Sequence, residues 1–287
     1  MGDPTTHPWL LNKRAWSHRW RDRAKSIYSA RRAMAAISEA SSSERREAGM
    51  ALRTLAWQSR WRGTLTSAER ECDLALAMMV GQDMGSVAAG VEASRAIIFT
   101  KRGAYDKAAS AVKDGLNHAC RRKDPESYLD LIVVEADVLR AMGNRTSAVT
   151  RLEEARDIAS GCEIARVQFA LGRYALLVGD KEESLVAALS AVASARRWGN
   201  MVILPRALAL LGAVHRVAGR HDRAESCLNE AADLAARDGD ICAECEVLHQ
   251  LGALSLGRGT ISEGVTLLET GRRLASRMGY VIRQQAF

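Results

Sequence analysis

The sequence predicts an all-α solenoid of about six helix-turn-helix repeats behind an N-terminal capping helix, and three observations carry that expectation. The 287 residues hold only 4 Pro, 6 Trp, 5 Tyr and 3 Phe, with 47% apolar residues, and alanine is abundant, a balance that favours helices over sheets. Six glycines (Gly63, Gly103, Gly143, Gly179, Gly219 and Gly259) recur at spacings of 40, 40, 36, 40 and 40, the self-similarity expected of a repeat array. Small residues keep step with them. They stand seven positions before (Ala56, Ala96, Ala136, Gly172, Gly212, Gly252), five after (Ala68, Ala108, Ala148, Ser184, Ala224, Gly264) and twelve after (Ala75, Gly115, Ala155, Ala191, Ala231, Gly271).

Each column has a physical reason. A glycine between two helical stretches suits the left-handed residue that ends a helix without a Cβ penalty. The columns seven before and five after allow the two helices of a pair to approach closely, and the third column faces the next pair. Pro125 and Pro205 fall at or before helix starts, where a missing N–H costs least. Residues 1–44 read as a basic, tryptophan-bearing cap (Trp9, Trp16, Trp20, Tyr28), set off by the polar run that starts at Ser41. Residues 45–280 are the array. Residues 281–287 read as the start of a further, truncated helix, so the chain is expected to be the N-terminal part of a longer protein.

Charge and composition exclude several classes. The formal net charge is +7, and the first 60 residues supply all of it, with 12 Lys/Arg against 5 Asp/Glu. No apolar run approaches the roughly 20 residues that span a bilayer, and no secretory signal opens the chain; a cytoplasmic protein without membrane contact is expected. Cys242, Cys245 and His249 share one side of a helix, but a closed zinc site needs four ligands, so neither metal nor cofactor is expected. Phosphate-loop, dinucleotide-fold, zinc-protease and nucleophile-elbow motifs are absent, which predicts that the chain is not an enzyme.

The pattern resembles the tetratricopeptide repeat family, most plainly in Leu171-Gly172, Leu211-Gly212 and Leu251-Gly252, each followed by Gly179, Gly219 or Gly259. A 40-residue unit is longer than the usual 34 and resembles the long-repeat arrays of kinesin light chain and bacterial signalling proteins. Glu92, Arg95 and Glu135 depart from the family's apolar positions in repeats two and three. The resemblance implies a right-handed α-α superhelix whose first helices line a concave groove. That line carries Arg53, Trp57, Arg60, Trp61, Lys101, Arg140, Arg166, Phe169, Arg173, Arg206, Arg216 and His249. Its eight cations outnumber three carboxylates, Asp130, Asp137 and Glu246. Guanidinium groups hold carboxylates by paired hydrogen bonds, so an acidic peptide or protein segment is the expected guest. Trp57 and Trp61 stand either against the cap or at the groove entrance, and His215 reads as a buried histidine.

The resemblance also implies a regulatory input region preceding an output such as a GGDEF diguanylate cyclase. Two alternatives remain open: an oligomerisation scaffold that dimerises through its terminal helices, and a transcriptional regulator binding nucleic acid through the basic N-terminus. The second is disfavoured because no recognised nucleic-acid motif accompanies the basic residues.

Overall fold

The computed structural model describes residues 7–37, 41–81, 83–122 and 124–279, and among them the regular elements are fourteen α-helices. Residues 281–287, read as a further helix, lie outside the described residues. The helices are α1 (Pro8–His18), α2 (Arg23–Ala35), α3 (Ser42–Arg62), α4 (Leu65–Met79), α5 (Gly85–Lys101), α6 (Tyr105–Arg122) and α7 (Pro125–Ala141). They continue with α8 (Arg145–Ile158), α9 (Glu163–Val178), α10 (Lys181–Trp198), α11 (Leu204–Val217), α12 (His221–Asp238), α13 (Ile241–Gly257) and α14 (Ile261–Arg277). The six expected repeats are the pairs from α3/α4 to α13/α14. Among the described residues no helix is long and apolar enough to cross a membrane.

The glycine period is the set of turns within pairs. All six glycines have φ between 73° and 90°, a region that Cβ-bearing residues rarely adopt. At the first, the N–H groups of Gly63 and Thr64 both donate to the Ser59 carbonyl, closing the helix end. The one short interval, 36 residues, coincides with α8, which is 14 residues long against 18 for α6, α10 and α12. Helix starts are capped by side chains: Ser41 and Glu44 form a capping box on α3, and Asp124, Asp180 and Asp240 accept from the first-turn N–H groups of α7, α10 and α13. Such caps are each worth about 1 kcal/mol.

The chain divides into two compact units, Met1–Arg151 and Leu152–Phe287. In the first, Ala89, Ala93, Ala96, Ala108, Leu131, Val134 and Val138 form one core shared by α5, α6 and α7. A Cβ on Gly115 would lie 2.5 Å from Leu131 of α7, so the third small column does face the next pair here. Glu92 and Glu135, the departures from the family pattern, are held by Arg95 at 3.0 Å and Arg151 at 2.9 Å. The N-terminal stretch, expected as one capping helix, is two helices. The break falls at residues 19–22, where Asp22 caps α2 through the Lys25 N–H.

In the second unit the small columns meet directly. Ser184 Oγ donates to the Gly172 carbonyl at 2.9 Å, and a Cβ on Gly252 would lie 3.0 Å from the Gly264 carbonyl oxygen, as one on Gly264 would lie 2.9 Å from that of Gly252. The backbones of α13 and α14 therefore touch where neither residue has a side chain. His215 is buried.

Candidate functional site

The first helices position every residue that the sequence singles out, but they treat those residues in different ways. In the first unit a five-residue motif occurs twice: Trp16-Ser-His-Arg19-Trp20 at the end of α1 and Trp57-Gln-Ser-Arg60-Trp61 at the end of α3. The four tryptophans form one cluster of mutually inclined rings. Ring centroids of Trp20 and Trp57 are 4.5 Å apart edge to face, Trp57 and Trp61 are 5.8 Å apart, and Trp16 and Trp57 are 6.4 Å apart. Each motif arginine lies over its own two rings: Arg19 at 4.2 and 5.6 Å from the Trp16 and Trp20 centroids, and Arg60 at 5.6 Å from both Trp57 and Trp61. Trp57 is buried and Trp61 half-buried, so of the two places open to them both pack against the N-terminal pair.

Both arginines then reach α7. Arg60 donates to both carboxylate oxygens of Asp130 at 3.1 and 3.2 Å and to Ser94 Oγ of α5 at 3.3 Å, and its side chain has no exposed surface. Arg19 pairs with Glu126, which also accepts from the Trp16 indole N–H at 3.1 Å. Arg53 stacks on Trp16 at 3.6 Å. Burial pushes the Arg53 guanidinium down to about 10, against the opposing pull of Glu126, so it stays charged at neutral pH. This face is not a free basic surface, because each arginine is matched by carboxylate or indole from its own unit.

Arg140 faces Asp137 at 3.6 Å. Lys101, at the end of α5, is half-buried. A cavity of about 290 Å³ lies between α6 and α7, walled by Val112, Leu116, Val138 and Leu139 among others, and none of the groove residues expected from sequence lines it.

In the second unit Arg166 and Arg206 share a register position, and both are buried. Arg206 forms a two-point ion pair with Asp240 at 2.8 and 2.9 Å and also donates to the Val202 carbonyl at 2.7 Å. Burial opposes its charge, yet Asp240 together with Glu246 and Cys242 outweighs burial and holds the guanidinium above its ordinary value. Arg166 pairs with Glu163 at 3.4 Å. Both guanidinium groups are thus buried in ion pairs, that of Arg206 tying α11 to the start of α13 and that of Arg166 lying within α9. Arg173, half-buried, lies 5.5 Å from the Phe169 ring centroid.

Arg216 differs. It donates to the neutral Gln250 Oε1 at 3.3 Å, is half-buried, and has no carboxylate among its described contacts. Burial lowers its pKa. His249, one turn of α13 from Cys245, is lowered by burial and then by the Arg216 charge. Cys72, Cys162, Cys227, Cys242 and Cys245 are free thiols, and no group of three or more His, Cys, Asp or Glu among the described residues is placed to hold a metal ion.

The acids that neutralise the arginines are what sequence reading missed. Asp130 was visible in the first-helix line, but its partner lies 70 residues away. The doubled Trp-x-x-Arg-Trp motif was the available signal, since it places α1 and α2 in register with the repeats.

These features define the class: an all-α protein of tetratricopeptide-like helical repeats. Solved structures share the fold. A Rap protein complexed with competence and sporulation factor matches with a TM-score of 0.72 at 13% identity, over 94% of this chain and 76% of that one. The Rap conjugation gene regulator of plasmid pLS20, in complex with the Phr* peptide, matches with 0.72 at 12% identity, over 98% and 76%. Aspartyl phosphate phosphatase F from Bacillus subtilis matches with 0.53 at 13% identity, over 98% and 77%. No protein-family model and no curated protein matches the chain.

Proposed function

We propose that the chain is a non-catalytic module that binds an acidic peptide or protein segment on the first helices of its second unit. The observation that carries this reading is Arg216, a half-buried guanidinium bonded to an amide rather than a carboxylate, where Arg206, ten residues earlier on the same helix α11, has its own aspartate. A guest carboxylate would supply the charged partner that Gln250 lacks, with His249 and Arg173 on neighbouring helices. One of the two Rap structures holds the Phr* peptide and the other competence and sporulation factor, which supports a ligand-binding use of this fold. Catalysis is not part of the reading. The carboxyls that burial raises, Glu71 and Glu92, are engaged with Ser59 and Arg95. The likeness to long bacterial arrays supports a regulatory place in a larger signalling protein, a GGDEF diguanylate cyclase being the output it suggests.

The test uses a fluorescent glutamate-rich peptide and its glutamine counterpart. The acidic peptide should bind the parent chain and lose about tenfold or more in affinity with Arg216→Glu, the scale of one charge-assisted hydrogen bond, while circular dichroism stays unchanged. Equal binding by parent and variant, or by both peptides, overturns the reading.

A further inference from the structure

The first-helix face of the first unit already carries a guest from its own chain. Trp16 lies between two guanidinium groups, Arg53 at 3.6 Å and Arg19 at 4.2 Å, and its indole N–H and Arg19 both donate to Glu126 Oε1. An indole and a guanidinium three residues apart are thus read by one stacking cation and one carboxylate.

Several features make this guest replaceable by another of the same chemistry. Glu126 is 46% exposed, whereas Asp130, which receives the equivalent Arg60, is 13% exposed. The α1 helix has 11 residues and no acidic group in its first turn. Helices that short are marginal on their own, and an uncompensated N-terminal dipole weakens them further. Among the described residues, the polar ties from Trp16 of α1 and from Arg19, its C-cap, to α7 end on a single carboxylate oxygen, while Asn12 of α1 donates to Glu47 of α3.

We infer that this face is a docking surface for helical segments of a partner protein that carry a tryptophan and an arginine three residues apart, and that α1 is its resident occupant. Such a segment competes with α1 by stacking its indole on Arg53 and placing its arginine on Glu126. Polyanions are the wrong chemistry, since the charge that receives the guest arginine is a carboxylate. The inference does not depend on Arg216, which lies in the other unit, so the acidic-peptide assay and the one below fail independently.

The probe is a fluorescent synthetic peptide of residues 8–20, with a control in which the positions of Trp16 and Arg19 are alanine. In the full chain, Trp16→Ala with Arg19→Ala removes the two resident side chains that Arg53 and Glu126 hold, and the probe should bind this variant at least about tenfold more tightly than it binds the parent. Adding Glu126→Gln should weaken probe binding by about tenfold, as loss of a charged acceptor predicts. Equal affinity for parent and variant, no binding to the variant, or equal binding of the control peptide overturns the inference. Should the double variant not fold, Glu126→Gln alone decides: amide exchange must accelerate in α1 and stay unchanged in α5 and α6. Unchanged exchange in α1 overturns it.

Discussion

Arg19 and Arg60 hold the same place in two successive helix pairs, and both end on one helix, Arg19 on Glu126 and Arg60 on Asp130, carboxylates one turn apart on α7. The same residue type at the same register therefore closes the inner face of the first unit twice. One closure is solvent-facing and the other buried, and the two differ accordingly in what their loss should do.

Asp130→Ala strips the buried Arg60 of its counter-charge. Removing one partner of such a pair typically costs about 3 to 5 kcal/mol, so urea unfolding of the variant should show a loss of that size. Arg60→Met with Asp130→Leu should recover most of it, because a buried pair can be replaced by apolar packing at little cost. A single variant as stable as the parent refutes the role given to this pair.

At Asp240 two duties can be separated. The side chain caps α13 through the Ala243 N–H and pairs with Arg206. Asn200, at the corresponding place one repeat earlier, accepts from the Ile203 N–H with a neutral side chain. Asp240→Asn should keep the cap and lose the charge, and Asp240→Ala should lose both. The alanine variant is expected to be less stable by about 1 kcal/mol, the worth of a cap, and thermal unfolding of the two variants side by side measures it.

Glycines of the two columns should fail for different reasons. A Cβ at Gly212 would lie 2.7 Å from Leu228 Cγ and 3.2 Å from the Ala224 carbonyl oxygen, so Gly212→Ala should cost about 1 to 3 kcal/mol by overpacking. At Gly219 the space is open but φ is +73°, and Gly219→Ala should cost about 1 to 2 kcal/mol through backbone strain. A shorter side chain at position 228, Leu228→Ala, should relieve the steric cost of the first substitution and leave the second unchanged. Chemical denaturation of the single and double variants checks this, and relief of both would refute the distinction.

The second unit should weaken in mild acid. His215 and His249 are both lowered from 6.5, first by burial and then by arginine charge, Arg220 and Arg223 for the former and Arg216 for the latter. Between those lowered values and 6.5 the unfolded chain binds protons that the folded chain does not, so stability present above pH 6.5 is lost as pH falls. Urea midpoints from pH 7.5 to 5.5 should therefore decline, and His215→Gln with His249→Gln should flatten the decline. A flat parent curve is the contrary result.

The turns and close approaches of the fold were legible because they are enforced at the residue itself. Gly179 needs no Cβ for its φ of 87°, and Gly172 has none because Ala187, Ala188 and Leu210 crowd it. Arg60 and Arg206 were legible as first-helix arginines but not as buried ones, since nothing beside them in sequence announces Asp130 or Asp240. The division of residues 7–37 into two helices was hidden for a related reason: the turn at residues 19–22 is made with Asp22 in the place where the repeats use glycine.

One guanidinium also sets how the first unit comes apart. Repeat arrays ordinarily unzip stepwise because each repeat touches only its neighbours. Arg60, bonded to Ser94 and Asp130, bolts α3, α5 and α7 together, so the first three repeats should lose order as a single cooperative block. Links in the second unit, Arg206 to Asp240 and Arg216 to Gln250, reach only one repeat onward, which leaves that unit able to fray helix pair by helix pair.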